Sequence, residues 1–188
     1  MILLVGLAVI VASVPLAGGS FRGLDSVHIH GAWLLAVTVV AQQAALGLDD
    51  GWLPRTLHVG SFAFAAIFLA SNRGLRGTRW IAAGGGLNLV AVLANGGVMP
   101  AWSRAWALSG APTIAAHSFS NARPIAGARL QPLGDVIPFP RSVPGSAPFS
   151  VGDVLVLIGC ALTIHALCGS RWATRTSHVA HVAGGPPG

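Results

Sequence analysis

Five apolar segments, separated by arginines that fall mostly on alternate sides, constrain the fold of this chain more than any other feature. Each segment is close to the roughly 20 residues that an α-helix needs to cross about 30 Å of hydrocarbon. The segments cover residues 1–17, 31–48, 53–70, 80–98 and 151–169. We therefore predict an all-α polytopic membrane protein, in which residues 1–170 form a bundle of five transmembrane helices and residues 171–188 form a mobile tail.

Composition and charge support the membrane class and exclude nucleic-acid binding. Hydrophobic residues make up 53% of the chain and charged residues only 9%, whereas a soluble domain carries about 25% charged residues. The net charge of +6 comes from arginines that lie singly or in short groups at the ends of the apolar segments. Arginines in such places orient a membrane protein and meet lipid headgroups. The predicted partners are the lipid bilayer and either a lipid headgroup or a membrane-protein partner.

The first apolar segment has two readings. Residues 1–17 could form a secretory signal peptide, but they lack the positively charged start that signal peptides carry, and Arg22 follows the segment instead of preceding it. We therefore predict that this segment is a retained first helix. A proline near its end, Pro15, is tolerated in a membrane span.

The charges of the short connecting segments predict the orientation. One set of arginines falls on a single side of the membrane if all five segments span it. This set is Arg22, Arg73, Arg76, Arg79, Arg171 and Arg175. The loop between the second and third segments carries Asp49 and Asp50 instead, with Arg55 just beyond it. The positive-inside rule then places the N-terminus outside, the C-terminal tail in the cytoplasm, and the long loop 100–150 outside.

This topology brings several polar side chains to the outer half of the bundle. Polar groups within hydrocarbon are costly and usually face the bundle interior. They can form an outward-facing pocket that binds a ligand, or interhelical hydrogen bonds that only hold the bundle together. Both readings stay open. The candidates for ligand binding are Gln42, His58, Asn88, Asn95, Asn121, Arg123, Asp135 and Asp153.

Two local patterns have structural readings. Ser150 and Asp153 have the spacing of a capping box, so we expect Ser150 to precede the first residue of the last helix. Three consecutive glycines, Gly84, Gly85 and Gly86, are expected to let neighbouring helix backbones approach closely.

Known catalytic and metal-binding patterns are absent from the sequence. It contains no His-Glu-x-x-His metal motif, no Gly-x-Ser-x-Gly nucleophile motif and no phosphate-binding glycine loop. We therefore predict no metal and no cofactor, and the sequence identifies no catalytic residue.

Four short patterns recur in order along the second half of the chain. They are Asn95-Gly-Gly-Val-Met-Pro100, Ser120-Asn121, Leu133-Gly-Asp135 followed by prolines to Pro140, and Ser150-Val-Gly-Asp153. Together they resemble a family of small bacterial integral membrane proteins that is catalogued only as a domain of unknown function. The resemblance covers nearly the whole chain before Arg171. It implies a multi-pass protein of the bacterial cytoplasmic membrane, and it implies no activity.

Three classes of function fit these observations. The first is a non-enzymatic accessory protein that binds lipid or a partner through a polar pocket at the outer face. The second is a membrane enzyme acting on a lipid or lipid-linked substrate, with Asp135, Asp153 and His58 as acid, base or metal groups and Arg123 or Arg129 holding phosphate. The third is a small transporter or channel subunit, against which the lack of internal repeats counts. We rank them in this order.

The orientation is directly testable. Reporter fusions at Leu75 and near Leu130 are expected to lie on opposite sides of the membrane, because the short-loop arginines place the first inside and the second outside. Finding both reporters on one side would contradict the topology.

Overall fold

The computed structural model describes residues 2–115, 117–143 and 145–172, with the side chains of residues 25 and 26 left aside. Over these ranges the chain forms six α-helices and two short β-strands. The helices are α1 (Ile2–Leu16), α2 (Trp33–Leu46), α3 (Trp52–Ser71), α4 (Thr78–Ala94), α5 (Ser103–Ser109) and α6 (Val151–Leu167). The strands are β1 (Met99–Ala101) and β2 (Ala122–Pro124), and short 3₁₀ helices cover Phe21–Ser26 and Gln131–Leu133. Nearly all of the predicted tail lies outside the described residues.

The mostly helical fold is confirmed. The five apolar segments coincide with α1, α2, α3, α4 and α6, and the predicted ends differ from the observed ones by a few residues. Within the described residues, α3 is the one helix that is both long and apolar enough to cross a membrane, with 20 residues. The other four are apolar helices of 14 to 17 residues.

The apolar helices alternate in direction, so the bundle has two distinct ends. We call one the arginine end. There Ser20 donates its backbone N–H to Cys168 O at 2.8 Å, and Asn72 at the end of α3 binds the backbone of His30 before α2. We call the other the loop end, where α2 turns into α3 and where residues 95–150 lie. Helix α2 packs mainly on α3, and α4 and α1 pack on α6, whereas α3 and α4 contact each other less.

Glycines let α4 and α6 pack closely. A Cβ atom added at Gly84 would collide with the carbonyl oxygen of Gly152, and one added at Gly159 would meet the side chain of Ile81 at 2.5 Å. The prediction of close packing is therefore right for Gly84. It is wrong for Gly85 and Gly86, where an added Cβ would have no neighbouring atom within 4 Å. Three consecutive helical residues point in three directions, and only one of these directions faces α6.

The long loop folds back over the loop end. After α4 the chain turns through Gly96 and Gly97, whose positive φ angles of 67° and 90° suit glycine. It then enters β1, which pairs in parallel with β2 so that Pro100 lies opposite Arg123. On its other side, Pro100 O accepts the N–H of Asp135 at 2.9 Å. Each strand has only three residues, which is too few to leave a periodic pattern in the sequence.

The close contact of α4 with α6 gives a matched pair of substitutions. Gly84→Ala is expected to lower the free energy of unfolding by about 1–3 kcal/mol, because the methyl group forces two backbones apart. Gly85→Ala is expected to leave stability unchanged or to raise it by up to about 1 kcal/mol, because alanine favours the helix and meets open space. Unfolding of the purified protein in detergent measures both. Equal effects would contradict the packing described here.

Candidate functional site

Two arginines share one carboxylate at the loop end. Asp50 lies in the turn between α2 and α3, Arg55 lies in the first turns of α3, and Arg123 lies in β2. Arg55 donates from Nε to Asp50 Oδ1 and from Nη2 to Oδ2, both at 3.0 Å. Arg123 donates from Nη2 to Asp50 Oδ2 at 2.6 Å. The hydrogen bonds from Arg55, assisted by Arg123 and opposed by burial, lower the pKa of Asp50 from 3.8 to about 2.

Backbone contacts from the loop fix this ion-paired cluster. The N–H of Asp50 donates to His117 O at 2.7 Å, and the N–H of Phe119 donates to Leu48 O at 3.1 Å. Arg55 also donates from Nη1 to Gly96 O at 3.0 Å. The turn before α3, the turn after α4 and the loop therefore meet around a single carboxylate. We call Asp50, Arg55 and Arg123 the loop-end triad.

The candidates on α2 and α3 lie inside the bundle and have protein partners. His58 is buried, and its Nδ1 hydrogen-bonds to Gly97 O at 2.9 Å. Its ring contacts those of Phe62 and Phe119 with centroid distances of 5.6 and 5.9 Å. Gln42 donates from Nε2 to Ser61 Oγ at 3.1 Å, which joins α2 to α3. Both contacts hold structural elements together.

Asn88 and Asp153 belong to one hydrogen-bond network at the start of α6. Asp153 and Ser150 form the predicted capping box, so that reading is confirmed. Asn88 donates from Nδ2 to Asp153 Oδ1 at 2.9 Å, and its Oδ1 accepts from Ser150 Oγ at 2.9 Å. The remaining Oδ2 of Asp153 accepts the N–H of Ser150 at 3.1 Å. Every polar atom of the Asn88 and Asp153 side chains thus has a partner within this network.

The two other asparagines connect the loop to the bundle in different ways. The Asn95 amide donates to Ala91 O and to Arg129 O at 2.8 Å each, and its Oδ1 accepts the N–H of Arg129 at 2.9 Å. Asn121 is exposed, and its backbone oxygen accepts the N–H of Met99 at 2.8 Å. Asn95 therefore fixes the loop through its side chain, and Asn121 does so through its backbone.

Asp135 differs from Asp50 because no arginine pairs with its buried carboxyl group among the described residues. Its residue is 7% exposed. Burial first, and the nearby charge of Asp153 second, raise the pKa of Asp135 from 3.8 to about 8. Among the described residues, no loop arginine forms an ion pair with Asp135 or Asp153. The ion pairs between described side chains all involve Asp50 instead.

Sequence reasoning thus named Arg123 but missed Asp50 and Arg55 as site residues. The sequence did carry a signal for them, because Asp50 stands just before α3 and Arg55 lies in the first turns of that helix. The charges of this segment served only to infer the orientation. Among the described residues, no group of three or more His, Cys, Asp or Glu side chains is arranged to hold a metal ion.

Comparison with known proteins places these residues in a family. The model of a family of unknown function, DUF5317, matches residues 26–165, which include α2 to α4 and nearly all of α6. The chain belongs to the DUF5317 family. The match includes the loop-end triad, Asp135 and Asp153, and it confirms the resemblance to a family of unknown function. No curated protein and no solved structure matches the chain.

The buried carboxyl group of Asp135 predicts an unusual pH dependence for this DUF5317 protein. Because its folded pKa of about 8 exceeds the ordinary value of 3.8, the folded state binds the proton more tightly than the unfolded state. The stability that protonated Asp135 contributes is therefore complete below about pH 4 and falls by up to about 1.4 kcal/mol per pH unit until about pH 8. Asp135→Asn is expected to remove this decline. Unfolding in detergent at a series of pH values measures it.

Asp50→Asn is the matched control, because the pKa of Asp50 is shifted the opposite way. Stability from the triad is present above about pH 4 and is lost as the pH falls toward about 2. The control should therefore keep the decline toward pH 8. If Asp135→Asn also keeps that decline, another group causes it.

Proposed function

We propose that the chain is a multi-pass protein of the bacterial cytoplasmic membrane. The support is an outer surface made of large apolar side chains, which water would not cover favourably. One example from each of α1 to α4 is Leu4 (68% exposed), Val40 (66%), Ile67 (52%) and Leu93 (55%). The alternating directions of the five apolar helices suit five crossings. Residues beyond the ends of the shorter helices would complete the span, because about 20 helical residues are needed.

Tryptophans at the helix ends support this placement. Exposed indole rings occur at Trp33, Trp52, Trp80, Trp102 and Trp172. Trp33, Trp52 and Trp102 lie at or next to the start of a helix, Trp80 is the third residue of α4, and Trp172 follows the end of α6 by five residues. Aromatic side chains near the ends of membrane helices favour the membrane–water interface. In the proposed orientation the N-terminus and the loop end face outward, and the arginine end faces the cytoplasm.

The proposed activity is non-enzymatic binding at the outer face, by an accessory protein that holds an anionic group through the loop-end triad. The shared carboxylate of Asp50 carries this proposal, because it presents two guanidinium groups in fixed positions. Two positive charges facing one negative charge leave the triad with a net charge of +1. Arg123 uses one nitrogen in the ion pair, and its other nitrogens have no hydrogen-bond partner among the described residues. Guanidinium groups recognise phosphate and carboxylate through such paired N–H donors.

The arrangement of the other candidates favours binding over catalysis. Gln42, His58, Asn88 and Asn95 are each hydrogen-bonded within the protein. A nucleophile or base would need a free position beside a substrate. One observation favours the alternative, a membrane enzyme acting on a lipid or lipid-linked substrate at the outer face. Asp135, with its pKa raised to about 8, would carry a proton at neutral pH and could serve as a general acid.

A charge substitution in β2 tests the proposed binding. Arg123→Gln removes the guanidinium group with unused donors. Arg129→Gln makes the same change of charge in the same loop, at an exposed residue that binds Asn95 through its backbone. We expect Arg123→Gln to weaken binding by about tenfold or more, in line with the roughly 1.5–3 kcal/mol of a hydrogen bond to a charged group. Arg129→Gln should change it little.

Two measurements cover the two sources of an anionic group. Native mass spectrometry with phosphatidylglycerol reports a lipid headgroup. Photo-crosslinking from the exposed Asn121 position in cell membranes reports a protein partner. At least one of the two signals should weaken in Arg123→Gln and remain at the wild-type level in Arg129→Gln. If neither signal distinguishes the two variants, the triad does not bind an anionic partner.

A further inference from the structure

A groove lies between α3 and α4, away from the loop-end triad. It encloses about 390 Å³, within the range of about 300–1,000 Å³ that is usual for ligand sites. Phe62 and Leu69 of α3 and Leu89 of α4 line it, together with small residues that include Gly86. Its walls are therefore apolar along most of their length.

The groove arises because α3 and α4 each pack mainly on another helix. Helix α3 packs mainly on α2, and α4 packs mainly on α6. Near the loop end the two helices meet, where Val59 and Phe62 pack against the buried Ala91 and Val92. Farther along, the α4 residues that face α3 are too small to fill the space, and added Cβ atoms at Gly85 and Gly86 would touch nothing within 4 Å.

The length of the groove suits one lipid acyl chain. Its α3 wall extends from Phe62 to Ala70, a distance of about 12 Å at 1.5 Å per residue, and Arg73 lies just beyond the end of the helix. Half of a hydrocarbon core of about 30 Å is about 15 Å. The apolar wall therefore covers most of the depth of one leaflet and ends at the arginine end of the bundle.

Two arginines give the groove a charged mouth. Arg73 follows the end of α3, Arg79 is the second residue of α4, and both contribute to the lining. Both are exposed, and neither forms an ion pair with a described residue. An apolar slot ending in two guanidinium groups complements a molecule with a hydrocarbon chain and an anionic head.

We propose that this groove binds an anionic phospholipid, with one acyl chain along α3 and α4 and its phosphate between Arg73 and Arg79. The proposal rests on the membrane placement given above and adds a second site at the opposite end from the triad. In that placement the mouth opens to the cytoplasmic leaflet, where short-loop arginines meet anionic headgroups.

Filling the groove tests the acyl-chain site. Gly86→Leu places an isobutyl group in the groove, where the protein offers no obstacle, and Gly85→Leu is a second variant of the same design. Gly60→Leu is the matched control, because it adds the same side chain to open space on α3 outside the groove. Native mass spectrometry of the detergent-purified chain with dioleoyl phosphatidylglycerol measures the retained lipid.

The wild type and Gly60→Leu should retain one phosphatidylglycerol molecule more than the groove variants do. We expect Gly86→Leu to weaken retention by at least about tenfold, because the added side chain fills the space that several methylene groups of the acyl chain would occupy. Retention equal to wild type in both groove variants overturns the site. An equal loss in Gly60→Leu also overturns it, because the effect would then not be specific to the groove.

Neutralising the mouth tests headgroup recognition. Arg73→Gln combined with Arg79→Gln should abolish the preference for phosphatidylglycerol over phosphatidylcholine. Both lipids should still be retained through their acyl chains. Arg22→Gln and Arg76→Gln, which change two arginines at the same end but outside the lining, should preserve the preference. A preference that survives the first pair shows that the two arginines do not select the lipid. Loss in both pairs shows an effect of net charge and also refutes the assignment.

The loop-end triad provides an independent reference. When Arg123→Gln is also present, Gly86→Leu should still weaken the retention of phosphatidylglycerol by the same factor. If the groove variants behave like wild type while Arg123→Gln still weakens binding, this proposal fails and the proposed function stands. If the groove variants lose lipid while Arg123→Gln binds like wild type, the proposed binding at the triad fails and the groove proposal stands.

Discussion

The backbone hydrogen bonding of β1 is the constraint on which the loop end depends. Residues Met99 to Ala101 are buried, and buried peptide groups that stay unpaired cost several kcal/mol. One side of β1 pairs with residues 121–124 and the other side pairs with Asp135. Segments that are about 25 and 35 residues farther along the chain must therefore return to the end of α4. Because this one strand organises both of them, it also determines where Arg123 and Asp135 lie.

Two similar carboxyl groups at the loop end have pKa values shifted in opposite directions. Asp50 receives hydrogen bonds from two arginines, so it stays ionised over nearly the whole pH range. Asp135 is buried beside another carboxylate and holds its proton to about pH 8. Residue type alone therefore does not determine charge in this protein. The difference arises because Arg55 and Arg123 both bind Asp50, whereas Asp135 is buried on the other side of β1 with no arginine paired to it among the described residues.

Local features of the sequence predicted much of the fold and less of the site. The apolar segments predicted the long helices, and the spacing of Ser150 and Asp153 predicted the cap of α6, because both depend on neighbours along the chain. The loop-end triad joins residues 50 and 123, and the strand pairing joins residues 100 and 135. No local pattern encodes such distant contacts. The three glycines show the same limit, since only the packed helices reveal that Gly84 meets α6 while Gly86 faces a groove.

The connections between α3 and α4 determine how their shared groove can be reached. At the arginine end Thr78 donates to Asn72 O at 3.0 Å, and at the loop end Arg55 and His58 bind the carbonyl oxygens of Gly96 and Gly97. The helices are thus held together at both ends and separated between them. Entry is then from the side, in the plane of the helices' apolar surface, and the slot widens only if a helix bows. In the proposed membrane placement, such a slot would favour slender, flexible molecules over bulky rigid ones and would exchange them directly with the bilayer.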